Sequence, residues 1–101
     1  MAEPTLTELD EIAEYIARDD SRAAKRYVQK VFRKVANLRR LPELGQVPEE
    51  LRDFSHYREI VVAPCRIFYK ISGDAVVILH VMRSERRFRP RTLLMRDDGG
   101  K

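Results

Sequence analysis

Two stretches near the start of the chain have apolar residues at helical spacing. The first runs from Thr7 to Arg18, with Thr7 as its N-cap, and its apolar positions are Leu9, Ile12, Ala13, Ile16 and Ala17. The second begins at Ser21, which we expect to cap it, and Pro42 ends it. Its apolar stripe is Ala24, Tyr27, Val28, Val31, Val35 and Leu38. The short break between the two stretches predicts an antiparallel helical hairpin.

The apolar spacing then changes to nearly two, which indicates strands. After the loop LPELGQVPEEL, the predicted strands are Tyr57–Ala63, Cys65–Ser72 and Ala75–Met82. Gly73 and Asp74 predict a two-residue hairpin turn, because Gly73 can take a positive φ without steric cost. The fold class is therefore α+β: an N-terminal antiparallel helical hairpin packed on one face of a small antiparallel sheet, followed by a short basic C-terminal segment. We expect residues 1–96 to form one domain and residues 97–101 a disordered tail.

Alternation along the second strand assigns its side chains to two faces. One face, toward the core, carries Cys65, Ile67, Tyr69 and Ile71, and the other carries Arg66, Phe68, Lys70 and Ser72. A two-residue turn would place Arg66 opposite Val81, with Arg83 next on the same face. This predicts an open face that presents Arg66, Lys70 and Arg83 to an anionic partner. The alternative is that Arg66 pairs with Glu59 on the neighbouring strand and is structural.

Charge is segregated along the chain. The 101 residues carry a net charge of +4. Residues 1–20 hold seven acids and one base, residues 21–41 hold eight bases and no acid, and residues 83–101 hold seven bases and three acids. This distribution suits contact with polyanions or with an acidic protein, although a solvated basic helix face and tail would also produce it.

Several classes of protein do not fit this sequence. It has no apolar run long enough to span a bilayer, and its N-terminus is acidic, so we expect a cytoplasmic protein. Cys65, the single cysteine, excludes a disulfide framework and is interpreted as a buried thiol. The two isolated histidines do not suggest a metal site, and His80 is interpreted as a core histidine. We expect neither a metal nor a cofactor.

Several segments resemble, in order and spacing, the RelE/ParE family of bacterial toxins from type II toxin–antitoxin modules. They are the helix–break–helix IARDDSRAA, the LPELG after the second helix, and the strand pair RIFYKI and VVILHV with its basic ending. The resemblance covers about residues 8–88. It implies a growth-inhibiting toxin, as in plasmid stabilisation, neutralised by a cognate antitoxin encoded beside it. A homodimer or a heterotetramer with the antitoxin is compatible with it.

The resemblance leaves the target open. ParE-like members inhibit DNA gyrase, whereas RelE-like members are metal-independent endonucleases that cut mRNA on the ribosome. By position, it places the candidate toxic surface at Arg66, Arg83 and Arg86, with Lys70. The nuclease interpretation is weakened by Phe88, which has no proton to exchange where those enzymes carry Tyr or His. A third alternative is a non-toxic, basic nucleic-acid-binding domain of the same fold.

The second helix is the predicted antitoxin site. Its candidate contacts are Arg22, Arg26, Lys30 and Arg33, which would meet an acidic partner. The stretch before the first helix is too short for the family's usual first strand. The sheet edge left by this could be completed by residues 2–6, by the antitoxin or by a second copy of the chain. We expect Arg66→Ala or Arg86→Ala to abolish growth arrest without unfolding, and Arg91→Ala or Arg96→Ala to have little effect.

Overall fold

The computed structural model describes residues 3–54 and 56–99 and confirms the α+β class. In chain order, the elements are helices α1 (Glu3–Ala17) and α2 (Ser21–Arg40), two short 3₁₀ turns (Pro42–Leu44 and Glu49–Leu51), strands β1 (Tyr57–Val62), β2 (Cys65–Ser72) and β3 (Ala75–Arg83), and helix α3 (Pro90–Gly99). The three strands form one antiparallel sheet in the order β1-β2-β3.

Both predicted helix starts differ from the structure. Helix α1 begins at Glu3, so Thr7 lies inside the helix. Residues 3–6 are therefore helical and do not complete a sheet edge, and residue 2 lies outside the described residues. Helix α2 is capped by Asp20 instead of Ser21: the Asp20 carboxylate accepts from the backbone N–H of Arg22 (2.9 Å) and Ala23 (3.2 Å).

The helical hairpin packs on one face of the sheet and forms the first core. This core joins the apolar stripes of α1 and α2 to the predicted core side of β2, through Leu9, Ile12, Tyr27, Val31, Leu38, Val62, Cys65, Ile67, Tyr69, Ile78 and Val81. Tyr27 is buried here because its hydroxyl donates to the Val62 carbonyl oxygen at 2.7 Å. Burial of the Cys65 thiol raises its pKa.

A β-bulge in β3 overturns the predicted strand pairing. The turn is as predicted, with Ser72 opposite Ala75 and Gly73 at φ 58°. Farther along, however, Tyr69 pairs with Ile78 and Phe68 with His80, so that Leu79 is an extra residue between the two pairs. The bulge reverses the facing of every later β3 residue.

Helix α3 covers the other face of the sheet and forms the second core, which consists of Leu51, Tyr57, Phe68, Leu79, Met82, Phe88 and Leu93. Leu93 and Phe68 are both fully buried. The expectation that this face is open is therefore wrong. Residues 97–99 belong to α3, where we expected a tail, because Asp97 is fastened to the sheet by Lys70 and Tyr57.

Candidate functional site

Arg66, the residue predicted to lead the toxic surface, is held between two carboxylates. Its Nε and Nη2 donate to Glu59 on β1 at 2.8 Å each, and Nη1 and Nη2 donate to Glu50 at 3.2 and 3.1 Å. The guanidinium carbon lies 4.8 Å from the Phe68 ring centroid and 5.4 Å from that of Phe88. We call these five residues the Arg66 cluster.

The Arg66 cluster carries a net negative charge, because it holds one cation between two carboxylates. The hydrogen bonds that Arg66 donates to Glu59 raise the pKa of Arg66, and the hydrogen bond from Arg66 lowers the pKa of Glu50. The side chains of Glu59 and Arg66 are only 5% and 17% exposed. The geometry is that of the alternative in which Arg66 pairs with Glu59, and it leaves the guanidinium little capacity to attract a phosphate.

Lys70 lies on the same face as Arg66 and is also engaged. Its Nζ donates to the Asp97 carboxylate at 2.5 Å, and the Tyr57 hydroxyl donates to the other oxygen of that carboxylate at 2.5 Å. Stacking of Phe88 on Phe68, with centroids 4.1 Å apart, completes the cover over this face. Sequence reasoning missed α3, although Pro90 followed by Leu93, Leu94 and Met95 gave a weak helix-start signal.

The bulge places Arg83 away from Arg66. Arg83 pairs with Cys65 across the strands, so it faces the helical hairpin. Its guanidinium carbon lies 4.5 Å from the Tyr15 ring centroid, and its Nε lies 2.6 Å from a Glu85 carboxylate oxygen. The predicted grouping of Arg66, Lys70 and Arg83 on one face is therefore wrong.

Arg83 and Arg86 instead line a cleft of about 290 Å³ between α1, the end of β3 and the connection to α3. We call it the arginine cleft. Its walls are Glu8, Glu11 and Ile12 from α1, His80, Val81, Met82 and Arg83 from β3, and Arg86, Arg87, Arg89 and Thr92 beyond it. Sequence reasoning named Arg83 and Arg86 but missed the contribution of α1, because no local signal tells which helix lies beside the β3 edge.

That β3 edge is closed by side chains. Glu8 accepts from the Val81 backbone N–H at 3.1 Å, and Arg96 donates to the Leu79 carbonyl oxygen at 3.0 Å. Arg96 also pairs with both oxygens of Glu8, at 2.6 and 3.0 Å, and His80 Nδ1 lies 2.7 Å from Glu8 Oε2. The edge groups that an added strand would need are already bonded at this point.

Neither a metal-binding group of side chains nor a membrane-spanning helix is found in the described part of the chain. Residues 3–54 and 56–99 contain no group of three His, Cys, Asp or Glu side chains placed to hold a metal ion. None of the helices described is long and apolar enough to cross a membrane.

Comparison with known families decides the class of this protein. The sequence matches the family described as "ParE toxin of type II toxin-antitoxin system, parDE" over residues 1–88. The chain belongs to the ParE toxin family. No curated protein matches it significantly. Membership implies that this ParE toxin has a cognate ParD antitoxin as its partner, since the family is defined by the toxin–antitoxin pair.

On this ParE toxin, the surface predicted to meet the antitoxin is a stripe on α2. Arg22, Arg26, Lys30 and Arg33 are all exposed and lie opposite the buried positions Ala24, Tyr27, Val31 and Leu38. Beside the stripe, α1 and α2 form a groove whose exposed surface is almost wholly apolar. Its lining residues are Ala13, Glu14, Ala17, Ala24, Lys25, Val28 and Gln29. Phe32, 48% exposed, extends that apolar surface along α2.

Proposed function

We propose that this ParE toxin stops growth by inhibiting DNA gyrase. The match to the ParE family over residues 1–88 carries the proposal. The Arg66 cluster supports it, because Arg66, the arginine that would lead a nuclease site, is bonded to Glu50 and Glu59 and is not free to stabilise charge on a phosphate. Phe88 supports it as well, since it is buried and offers no proton.

Controlled expression in cells, with separate labelling of new DNA and new protein, tests the target. We expect filamentation and DNA damage while translation continues, and inhibited supercoiling when purified gyrase is mixed with the toxin. Translation that stops first, with mRNAs cut at codons, would contradict the proposal and indicate a ribosome-dependent endonuclease. Normal growth at a verified protein level would instead favour the non-toxic binding domain.

We further propose that the antitoxin lies along the α1–α2 groove with acidic residues against the stripe Arg22, Arg26, Lys30 and Arg33. The apolar groove and the exposed Phe32 offer the contact area, and the stripe offers complementary charge. A ligand that binds only the folded state stabilises it, so coexpression with the antitoxin should raise the yield and the melting temperature.

Charge reversal locates this antitoxin site. Arg26→Glu with Lys30→Glu should weaken antitoxin binding, measured by calorimetry, by about tenfold or more because attraction becomes repulsion. The matched control, Arg86→Glu with Arg87→Glu, makes the same charge change at residues that line the arginine cleft and not the groove, and it should leave affinity within about twofold. Equal losses in both variants would contradict the placement.

A further inference from the structure

The arginine cleft holds cations that the fold itself does not neutralise. Glu8 is paired with Arg96, and Arg83 with Glu85. Among the described residues, Arg86, Arg87 and Arg89 form no ion pair with a carboxylate, and all three are exposed. Glu11 is the remaining acid in the lining. Three guanidinium groups against one carboxylate leave the cleft with an excess of positive charge.

The backbone that carries these arginines is fixed at several points. Ser84 N–H donates to the Pro64 carbonyl oxygen at 2.9 Å, and Arg86 N–H donates to that of Arg83 at 3.1 Å. Phe88, which stands between Arg87 and Arg89 in the sequence, is buried in the second core. Helix α3 then starts at Pro90, which brings the positive end of its dipole to the cleft beside Thr92. The cations are thus presented from a prearranged scaffold, which lowers the entropic cost of binding an anion.

The apolar side chains that line the cleft are already buried by the fold itself. Its apolar lining residues are Ile12, Val81 and Met82, and they are 8%, 2% and 8% exposed. Protein interfaces depend on apolar and aromatic anchors that become buried, and none of these three can supply one. Guanidinium groups, in contrast, match the geometry of phosphate oxygens and bind them through two parallel hydrogen bonds.

An exposed aromatic ring lies against Arg83, one of the residues that line the cleft. Tyr15 is 53% exposed, and the Arg83 guanidinium covers one face of its ring at 4.5 Å. Exposed aromatic rings next to arginines are the usual platform on which bases of single-stranded nucleic acid stack.

We propose that the arginine cleft binds the phosphate groups of a nucleic-acid backbone, with Arg86, Arg87 and Arg89 as the phosphate contacts and Tyr15 as a stacking residue for unpaired bases. The inference goes beyond the proposed function, since it requires neither gyrase nor the antitoxin. Its ligand is defined by the phosphodiester, which DNA and RNA share.

Fluorescence anisotropy with the full chain tests the proposal. The probes are labelled oligonucleotides of one length, as single-stranded DNA, duplex DNA and single-stranded RNA, and the strongest binder identifies the source. Arg86→Ala with Arg87→Ala should lower affinity at least about tenfold and reduce the slope of log affinity against log salt by about 2. Glu11→Gln should tighten binding, and Tyr15→Leu should weaken binding to single strands more than to the duplex.

The matched control is Arg39→Ala with Arg40→Ala, which removes the same charge from exposed positions at the end of α2. Equal loss of affinity in the two double variants would overturn the proposal, because it would show attraction to net charge alone. So would the absence of binding at physiological salt, or equal competition by polyglutamate of the same charge. Unchanged melting temperatures of all variants confirm that the readout is binding, since these side chains are exposed.

Discussion

At the scale of single residues, Arg66 shows how one side chain can be required by its neighbours. Glu59 is 4% exposed, and it lies on a strand that is paired on both sides, to β2 and, at this position, to Gln46. A carboxylate at such a position is stable only when a cation and hydrogen bonds compensate for its lost hydration. Arg66 therefore compensates the buried charge of Glu59, and this structural role requires no partner molecule.

Arg66→Ala should destabilise the protein by about 3 kcal/mol, because it leaves a buried carboxylate without its partner. This revises the expectation that the variant stays folded. Urea unfolding followed by circular dichroism measures the change. Adding Glu59→Gln should recover part of the loss, whereas Arg86→Ala, the exposed control, should leave the urea midpoint unchanged. A wild-type midpoint for Arg66→Ala would show that the cluster is not structural.

An added methyl group should cost more stability at Gly45 than at Gly73. At Gly45, a Cβ would lie 2.4 Å from the Glu59 carbonyl oxygen and 2.6 Å from the Tyr69 hydroxyl, which already donates to Pro42. Gly45→Ala should therefore cost about 2–3 kcal/mol through overpacking. Gly73→Ala meets open space but keeps φ 58°, so about 1 kcal/mol is expected. Melting temperatures compare the two, and the reverse order would contradict this account.

At the scale of elements, the sequence predicted what periodicity encodes and missed what depends on distant contacts. The strands β1 and β2 and the Gly73 turn follow from alternation and turn chemistry, and the helical hairpin follows from its two apolar stripes. The bulge at Leu79 has no local signal, since Ile78, Leu79 and Val81 fit a regular strand equally well. Helix α3 depends on contacts such as Asp97 with Lys70, and Arg96, expected to matter little, bridges α3 to Glu8.

Docking of α3 should weaken in acid. Hydrogen bonds from Lys70 and Tyr57 lower the pKa of Asp97 despite burial. Burial would raise the pKa of Glu8, but hydrogen bonds from His80, Arg96 and Val81 outweigh it, so that this pKa is also lowered. Both folded pKa values therefore lie below the ordinary values of 3.8 and 4.5. The stabilisation is complete above those ordinary values and is lost as pH falls through the lowered pKa values.

Melting temperatures between about pH 7 and pH 3 check this linkage. The wild type should lose stability steeply at the acid end. Glu8→Gln with Asp97→Asn should be less stable at neutral pH and should show a flatter acid limb, because its two amides do not titrate. Parallel curves for the two proteins would mean that other carboxylates cause the acid lability.

At the scale of the whole molecule, the sheet is a middle layer between two cores. The first core lies under the helical hairpin, and the second depends on Phe88 and on Leu93 of α3. The family match ends at residue 88, before α3 begins. The part of the chain that identifies the family is therefore smaller than the part that buries the sheet.

Truncation after residue 89 should prevent stable folding. It would remove the fully buried Leu93, together with Arg96 and Asp97, and uncover Phe68 and Met82. The truncated chain should be insoluble or should bind a hydrophobic dye and lack a cooperative thermal transition. Leu93→Ala in the full chain, which should cost about 3 kcal/mol but keep the transition, is the graded control. A cooperatively folded truncated chain would show that α3 is dispensable.

The bulge at Leu79 also limits how residues can be transferred between relatives. Strict alternation along β3 from the Gly73 turn would put Arg83 on the face of Arg66. The extra residue, Leu79, puts Arg83 beside Tyr15 instead. A homologue with a regular third strand would present the arginine in the same alignment column on the opposite side of its sheet. When toxic residues are compared across such sequences, the homologue's sequence therefore needs a gap opposite Leu79. Equivalent arginines are those that lie on the same face of the sheet, whatever alignment column they occupy.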